Sequence, residues 1–160
     1  MDSLYQKSQN TLELARVLEL LADYAVSDSA KELARSLSPK TDASEVRASL
    51  DKTSDARRLL GIKGAPPFSG VRNLSASVRR AERGGSLNAG ELLHVAELLR
   101  TARGVQSYLE DDRKSERTSL DGMFAALMIN RALEDKIRSA IISPEEIADG
   151  ASGELLAIRR

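Results

Sequence analysis

Bulky ring side chains are almost missing from this sequence: its 160 residues include three tyrosines, two phenylalanines and no tryptophan. Sheet sandwiches and barrels draw on aromatic and β-branched residues to fill the space between their strands. This chain has to fill its interior with Leu, Ala, Ile and Val instead. Those residues recur at three- and four-residue intervals, the period of a helix with one buried face. The pattern predicts an all-α fold, a multi-helix bundle.

Start and stop signals place the helices. Thr11 to Ala25 reads as the first, with Asn10 and Glu13 in a capping-box arrangement and Leu14, Val17, Leu18, Leu21 and Ala25 on one face. Ser27 caps a second, with Ala30, Leu33, Ala34 and Leu37 inward, and Ser38-Pro39 stops it. Asp42 to Glu45 opens a third, with Val46, Leu50, Thr53 and Leu60 inward and Gly61 at its end. The stretch from Gly61 to Gly70, with Pro66-Pro67 inside it, is the clearest loop. A short helix from Asn73 to Arg83 turns Leu74, Val78 and Ala81 inward and stops at Gly84-Gly85.

Asn88 and Glu91 start the longest helix, which reaches about Glu110. Its apolar residues, among them Leu92, Leu93, Leu98, Leu99 and Val105, spread too widely around the axis for one seam, so it should pack on two sides. Asp111 to Thr118 reads as a charged, solvated turn and Leu120 to Met128 as a short apolar segment. Asn130 caps a further helix carrying Leu133, Ile137 and Ile141, and Pro144 breaks the stretch from Ile142 to Gly150 into a small extended excursion. Ala151 to Arg160 begins a helix with Leu155 and Ile158 and stops mid-pattern, as the first turns of a longer helix would. The expected division is an N-terminal extension at 1–10, a helical core domain at 11–150 and the start of a long helix at 151–160.

Charge and composition exclude several functions. Lys and Arg number 24 and Asp and Glu 24, which argues against a dedicated nucleic-acid module while leaving room for a local basic patch. The absence of cysteine removes disulfides, thiolate nucleophiles and thiolate metal sites, and fits a cytoplasmic setting. No stretch approaches the roughly 20 apolar residues that span a bilayer, and the N-terminus lacks the signature of a secretory signal.

The search for catalysis ends without a site. Gly85 to Gly90 matches the glycine spacing of a phosphate-binding loop, but Glu91 and Leu92 stand where lysine and a hydroxyl residue are needed, so it reads as a turn entering a helix. His94 is the single histidine, too few for a histidine metal site, and reads as structural. The pairs Asp111-Asp112 and Glu145-Glu146 lie in polar turns where solvation keeps carboxylates ordinary. Basic clusters occur at Arg57-Arg58, Arg113-Lys114 and Arg159-Arg160. In a fourth, Arg79, Arg80 and Arg83 share part of a helix face at spacings suited to a phosphate backbone. That last cluster is the candidate nucleic-acid contact. No aromatics interleave with it to stack bases.

Four stretches then resemble a known family in order and separation: Thr11-Leu12-Glu13 with Leu18 to Ala25; Pro67 to Arg72; Arg83 to Leu87 with Glu91-Leu92-Leu93; and Asp149 with Ala151-Ser152, Glu154-Leu155 and Ile158 to Arg160. The chain is similar to the N-terminal core of the second bacterial MutS branch, the paralogue lacking the mismatch-reading domains. It departs from the family pattern at Leu14-Ala15, Gly90 and Ile142-Ser143-Pro144. The resemblance implies a helical core with the start of a long lever helix from Ala151, and no catalytic, cofactor or metal residue within this chain. It implies further that the full-length protein is a homodimeric ATPase using ATP and magnesium, often with a nuclease domain. Such proteins suppress homologous recombination by acting on branched DNA and split collided ribosomes. The competing expectation is a free-standing helical module that offers a groove to a partner helix.

Overall fold

The computed structural model describes residues 2–110 and 117–159 and is helical, with nine helices and one two-stranded hairpin among them. In order these are α1 (Asp2–Thr11), α2 (Leu14–Asp23), α3 (Asp28–Arg35), α4 (Ala43–Lys63), α5 (Ser75–Glu82) and α6 (Ala89–Glu110). Then follow α7 (Asp121–Ala125), α8 (Arg131–Ala140), β1 (Ile141–Ser143), β2 (Glu146–Ile147) and α9 (Gly153–Ile158). Of the turn expected at 111–118 only Arg117 and Thr118 are described; Asp111-Asp112, Arg113-Lys114 and Arg160 lie outside the described residues.

Most caps sit where the residues called for them. Ser27 accepts from the Ala30 amide, Asp42 from the Ser44 and Glu45 amides, and Asn130 from the Leu133 amide. Asn88 and Glu91 close a reciprocal box at α6, each side chain accepting from the other's amide at 2.9 and 3.0 Å. Two boundaries differ. The first helix is two: α1 already runs from Asp2, and Asn10 lies inside it. The chain then bends at Glu13, which sits in the left-handed region at φ 52 without a capping bond. α4 passes through Gly61 and ends at Gly64, whose φ of 74 is a conformation glycine adopts without steric cost. Ile142 to Gly150 does form the extended excursion, an antiparallel hairpin pairing Ile141 with Ile147.

α6 is the spine. Ala96 on it is fully buried against Ile137 of α8 and Ile141 of β1, with Leu92, Leu93 and Val95 around them. On the other side Tyr108 reaches the C-terminal end of α4: its hydroxyl is within donating distance of the Leu59 and Gly64 carbonyls, at 3.1 and 2.8 Å. Lys63 returns the bond, donating to the Tyr108 and Leu109 carbonyls at 2.9 and 3.2 Å. A mid-helix glycine, Gly104, lets the loop ride close, since a Cβ there would stand 3.3 Å from the Pro67 ring. Ser119 donates through both its amide and its hydroxyl to Asp55, seating the entry to α7 on α4. The two-sided packing read from the sequence is therefore present.

Elsewhere burial is thin. α2 and α3 pair through Ala22 and Ala34 and the Glu19–Arg35 ion pair at 3.0 Å. Leu33, Leu37, Leu50, Thr53, Leu60, Val78 and Ala81, all expected inward, are exposed. Along α4 the buried phase runs through Val46, Ala56 and Leu59 instead.

Candidate nucleic-acid interface

α5 is an eight-residue helix whose first amide, that of Ser75, is capped by Asn73 Oδ1 at 3.0 Å. Leu74 just before it is buried and anchors the helix, leaving most of its surface to solvent. Arg79 and Arg83 stand one turn apart on that surface, about 6 Å along the axis. Neither pairs with a carboxylate among the described residues.

Arg80 is placed differently. Its guanidinium bonds both carboxylate oxygens of Glu91 on α6, and its Nε donates to the Ser86 carbonyl at 3.2 Å. Glu91 also accepts from the Ser77 hydroxyl at 2.8 Å and from the Asn88 amide at 3.0 Å. The Arg80 bond first, then the Asn88 and Ser77 bonds, pull the Glu91 carboxyl down to about 2. Arg80 thus fastens α5 to the start of α6, and its charge is already matched. Of the three arginines grouped by spacing, the fold leaves Arg79 and Arg83 unpaired and commits Arg80 to the scaffold.

Arg72 completes the surface. It lines an open groove of about 430 Å³ together with Asn73, Ser75, Val78 and Arg79. It too has no carboxylate partner among the described residues. The spacing argument missed it because it belongs to the loop before α5 rather than to the helix face. The one sequence signal for it was its place at the end of the Pro67 to Arg72 stretch. Two of the guanidiniums, Arg72 and Arg79, line the groove beside Asn and Ser side chains and the Glu82 carboxylate and can bind phosphate oxygens, with Arg83 outside the lining; with no aromatic there, they have nothing to stack a base on.

A second ionic assembly, across α6 and α8, is structural. Arg103 binds Glu134 through two nitrogens at 3.0 and 3.3 Å, and Glu134 is 3% exposed. Arg138 reaches Glu97 at 3.0 Å and Glu134 at 3.8 Å, while Arg100 pairs with Glu97 at 2.5 Å. Hydrogen bonding from Arg103 holds the Glu134 carboxyl below its ordinary range, and Arg100 does the same for Glu97. His94 is half-buried in α6, and Glu145 and Glu146 are exposed at the hairpin.

No protein-family model matches the chain. Individual relatives do. The chain is 38% identical over 157 residues to the Endonuclease MutS2 of Acetivibrio thermocellus, covering 97% of this chain and 20% of that protein. It is 40% identical over 156 residues to the protein of the same name from Agathobacter rectalis, with 97% and 20% covered. For that of Lachnospira eligens the identity is 38% over 155 residues, with 97% and 19% covered. The chain spans about a fifth of the length of these relatives.

Proposed function

The chain is a MutS2-like sequence, and from that premise we propose that it is the non-catalytic core of a MutS2-type ATPase, with α9 as the root of its lever. In this reading 11–150 is the core domain and 151–160 the first turns of the lever. ATP and magnesium are handled elsewhere in a homodimeric, cytoplasmic protein, as is any nuclease step. Its target is branched DNA or a collided ribosome.

The observation that supports a load-bearing role is the α6 spine. α8 and β1 hold one side of it through a buried alanine and the Arg103–Glu134–Arg138–Glu97 ion pairs, and α4 holds the other through reciprocal Lys63 and Tyr108 bonds. A packed unit clamped on two sides passes on displacement rather than absorbing it. The same core presents Arg72, Arg79 and Arg83 to a phosphodiester backbone without base preference.

The test is a salt titration of binding to a four-way DNA junction, followed by fluorescence anisotropy. The chain should bind weakly, with affinity falling as salt rises. The double variant R79E/R83E should lower the logarithmic salt slope by about 2, roughly one for each phosphate contact. R80A should leave the slope in place and lower stability instead. Equal slopes for wild type and R79E/R83E would remove the interface. Nucleotide turnover by these 160 residues alone would remove the non-catalytic reading.

A further inference from the structure

Arginine three residues before a serine is the pattern that arginine-directed serine kinases read by charge. It occurs in this chain at Ser38, Ser75 and Ser86. The fold separates the three. Arg35, which precedes Ser38, is held by Glu19 at 3.0 Å. Ser86 has Arg83 before it, but the other arginine at hand, Arg80, is bound to Glu91. Ser75 stands between two arginines that have no carboxylate partner among the described residues, Arg72 in the loop before α5 and Arg79 on α5 itself.

Ser75 is exposed, and its hydroxyl makes no hydrogen bond among the described residues; only its amide is engaged, by the Asn73 cap. Ser77 differs, because its hydroxyl is already given to Glu91 at 2.8 Å. Ser75 and Arg79 share a face of α5, about 6 Å apart along the axis. Arg72 lines the same groove. The one other charged group in that lining, Glu82, lies two turns beyond Ser75, about 10 Å along the axis. A group added to the Ser75 oxygen therefore meets the two guanidiniums before it meets the carboxylate.

We propose that Ser75 is a phosphorylation site whose phosphate is clasped by Arg72 and Arg79, which closes the phosphodiester surface they form. The closing of that surface rests on the α5 interface; the modification and its clasp do not. In the transfer, the Ser75 oxygen attacks the γ-phosphorus of a nucleoside triphosphate held by an arginine-directed kinase. The bond from that phosphorus to the β–γ bridging oxygen breaks, and a nucleoside diphosphate leaves. The hydroxyl proton passes to the base of the kinase. The product carries a charge of about −1.5 to −2 and three strong acceptor oxygens, enough to match two guanidiniums. A nucleic-acid backbone then finds Arg83 as the remaining free cation of the cluster, with a like charge beside it.

The first measurement incubates the chain with magnesium, ATP and a calmodulin-dependent protein kinase, a reagent that reads arginine three residues before serine, and maps the phosphate by mass spectrometry. Ser75 should be modified roughly tenfold faster than Ser38 or Ser86. R72A should abolish that lead and R79A should keep it. Equal rates at the three serines would overturn the site. The second uses a chain with phosphoserine installed at position 75 during translation, followed by phosphorus-31 resonance. Its phosphate should titrate below about 5.5, against an ordinary second ionisation near 6, and R79A should restore the ordinary value. Ordinary titration in both chains would overturn the clasp. On the four-way junction, the phosphorylated chain should lose about 2 from the logarithmic salt slope of the unmodified one; an unaltered slope would overturn the closing of the surface. An unmodified chain that ignores the junction would sink the α5 interface, while the phosphorus resonance still decides the clasp.

Discussion

Glu91 accepts from the Arg80 guanidinium, the Ser77 hydroxyl and the Asn88 amide together, so its protonation weakens three attachments at once. Its carboxyl is held at about 2, against an ordinary value of 4.5. A lowered folded-state value means the stabilisation is full above about pH 4.5 and is lost as pH falls from there toward 2. E91Q should therefore show a shallower loss of melting temperature across that window than the wild type; superimposable acid limbs would refute the linkage. Glu134 presents a different case because it is buried while its partners Arg103 and Arg138 remain partly wet. E134A leaves those cations able to rehydrate, so the cost should be about 1–2 kcal/mol, read as a melting temperature lowered by roughly 2–8 °C. A change under 1 °C would show that α6 and α8 hold together without the clamp.

Among elements, α1 and α2 give the sharpest test, because their boundary has no glycine or proline to announce it. Asn10-Thr11-Leu12-Glu13 has ordinary helix-compatible composition, and Asn10 with Glu13 matches a capping box. The chain instead continues through Asn10 and bends at Glu13 in the left-handed region. Glycine there removes a steric cost of roughly 1–2 kcal/mol and adds an entropic one of about 0.5–1 kcal/mol. E13G should thus hold or raise the melting temperature by circular dichroism, whereas at a helical position it would lower it. Where a cap is local, as at Ser27, Asp42, Asn88 and Asn130, the residues alone disclosed it. The failures were about facing: Leu33, Leu50 and Val78 sit at helical spacing yet are exposed. Periodicity identifies an apolar face, but the neighbour that would cover it is a tertiary fact. The candidate interface divides the same way. Spacing grouped Arg79, Arg80 and Arg83, but it could not see that Arg80 is held by a carboxylate eleven residues on, or that a loop brings Arg72 beside Arg79.

Taken whole, the molecule is a narrow spine with broad uncovered flanks. Its buried cluster is small, Ala96 with Ile137 and Ile141 at the centre, and much of its large apolar surface faces solvent. The 160-residue chain should accordingly bind a hydrophobic dye such as ANS while keeping its helical far-ultraviolet signal; dye fluorescence no higher than for a compact globular control would contradict the open flanks. One further consequence lies at the far end, where the Ser152 hydroxyl caps α9 and Arg159 reaches back to the Ile147 carbonyl at 3.1 Å and Asp149 at 2.5 Å. The hairpin it grips also carries Ile141. A twist of α9 about its axis would therefore be geared straight into the middle of the protein, and α9 could swing freely only after that handhold let go.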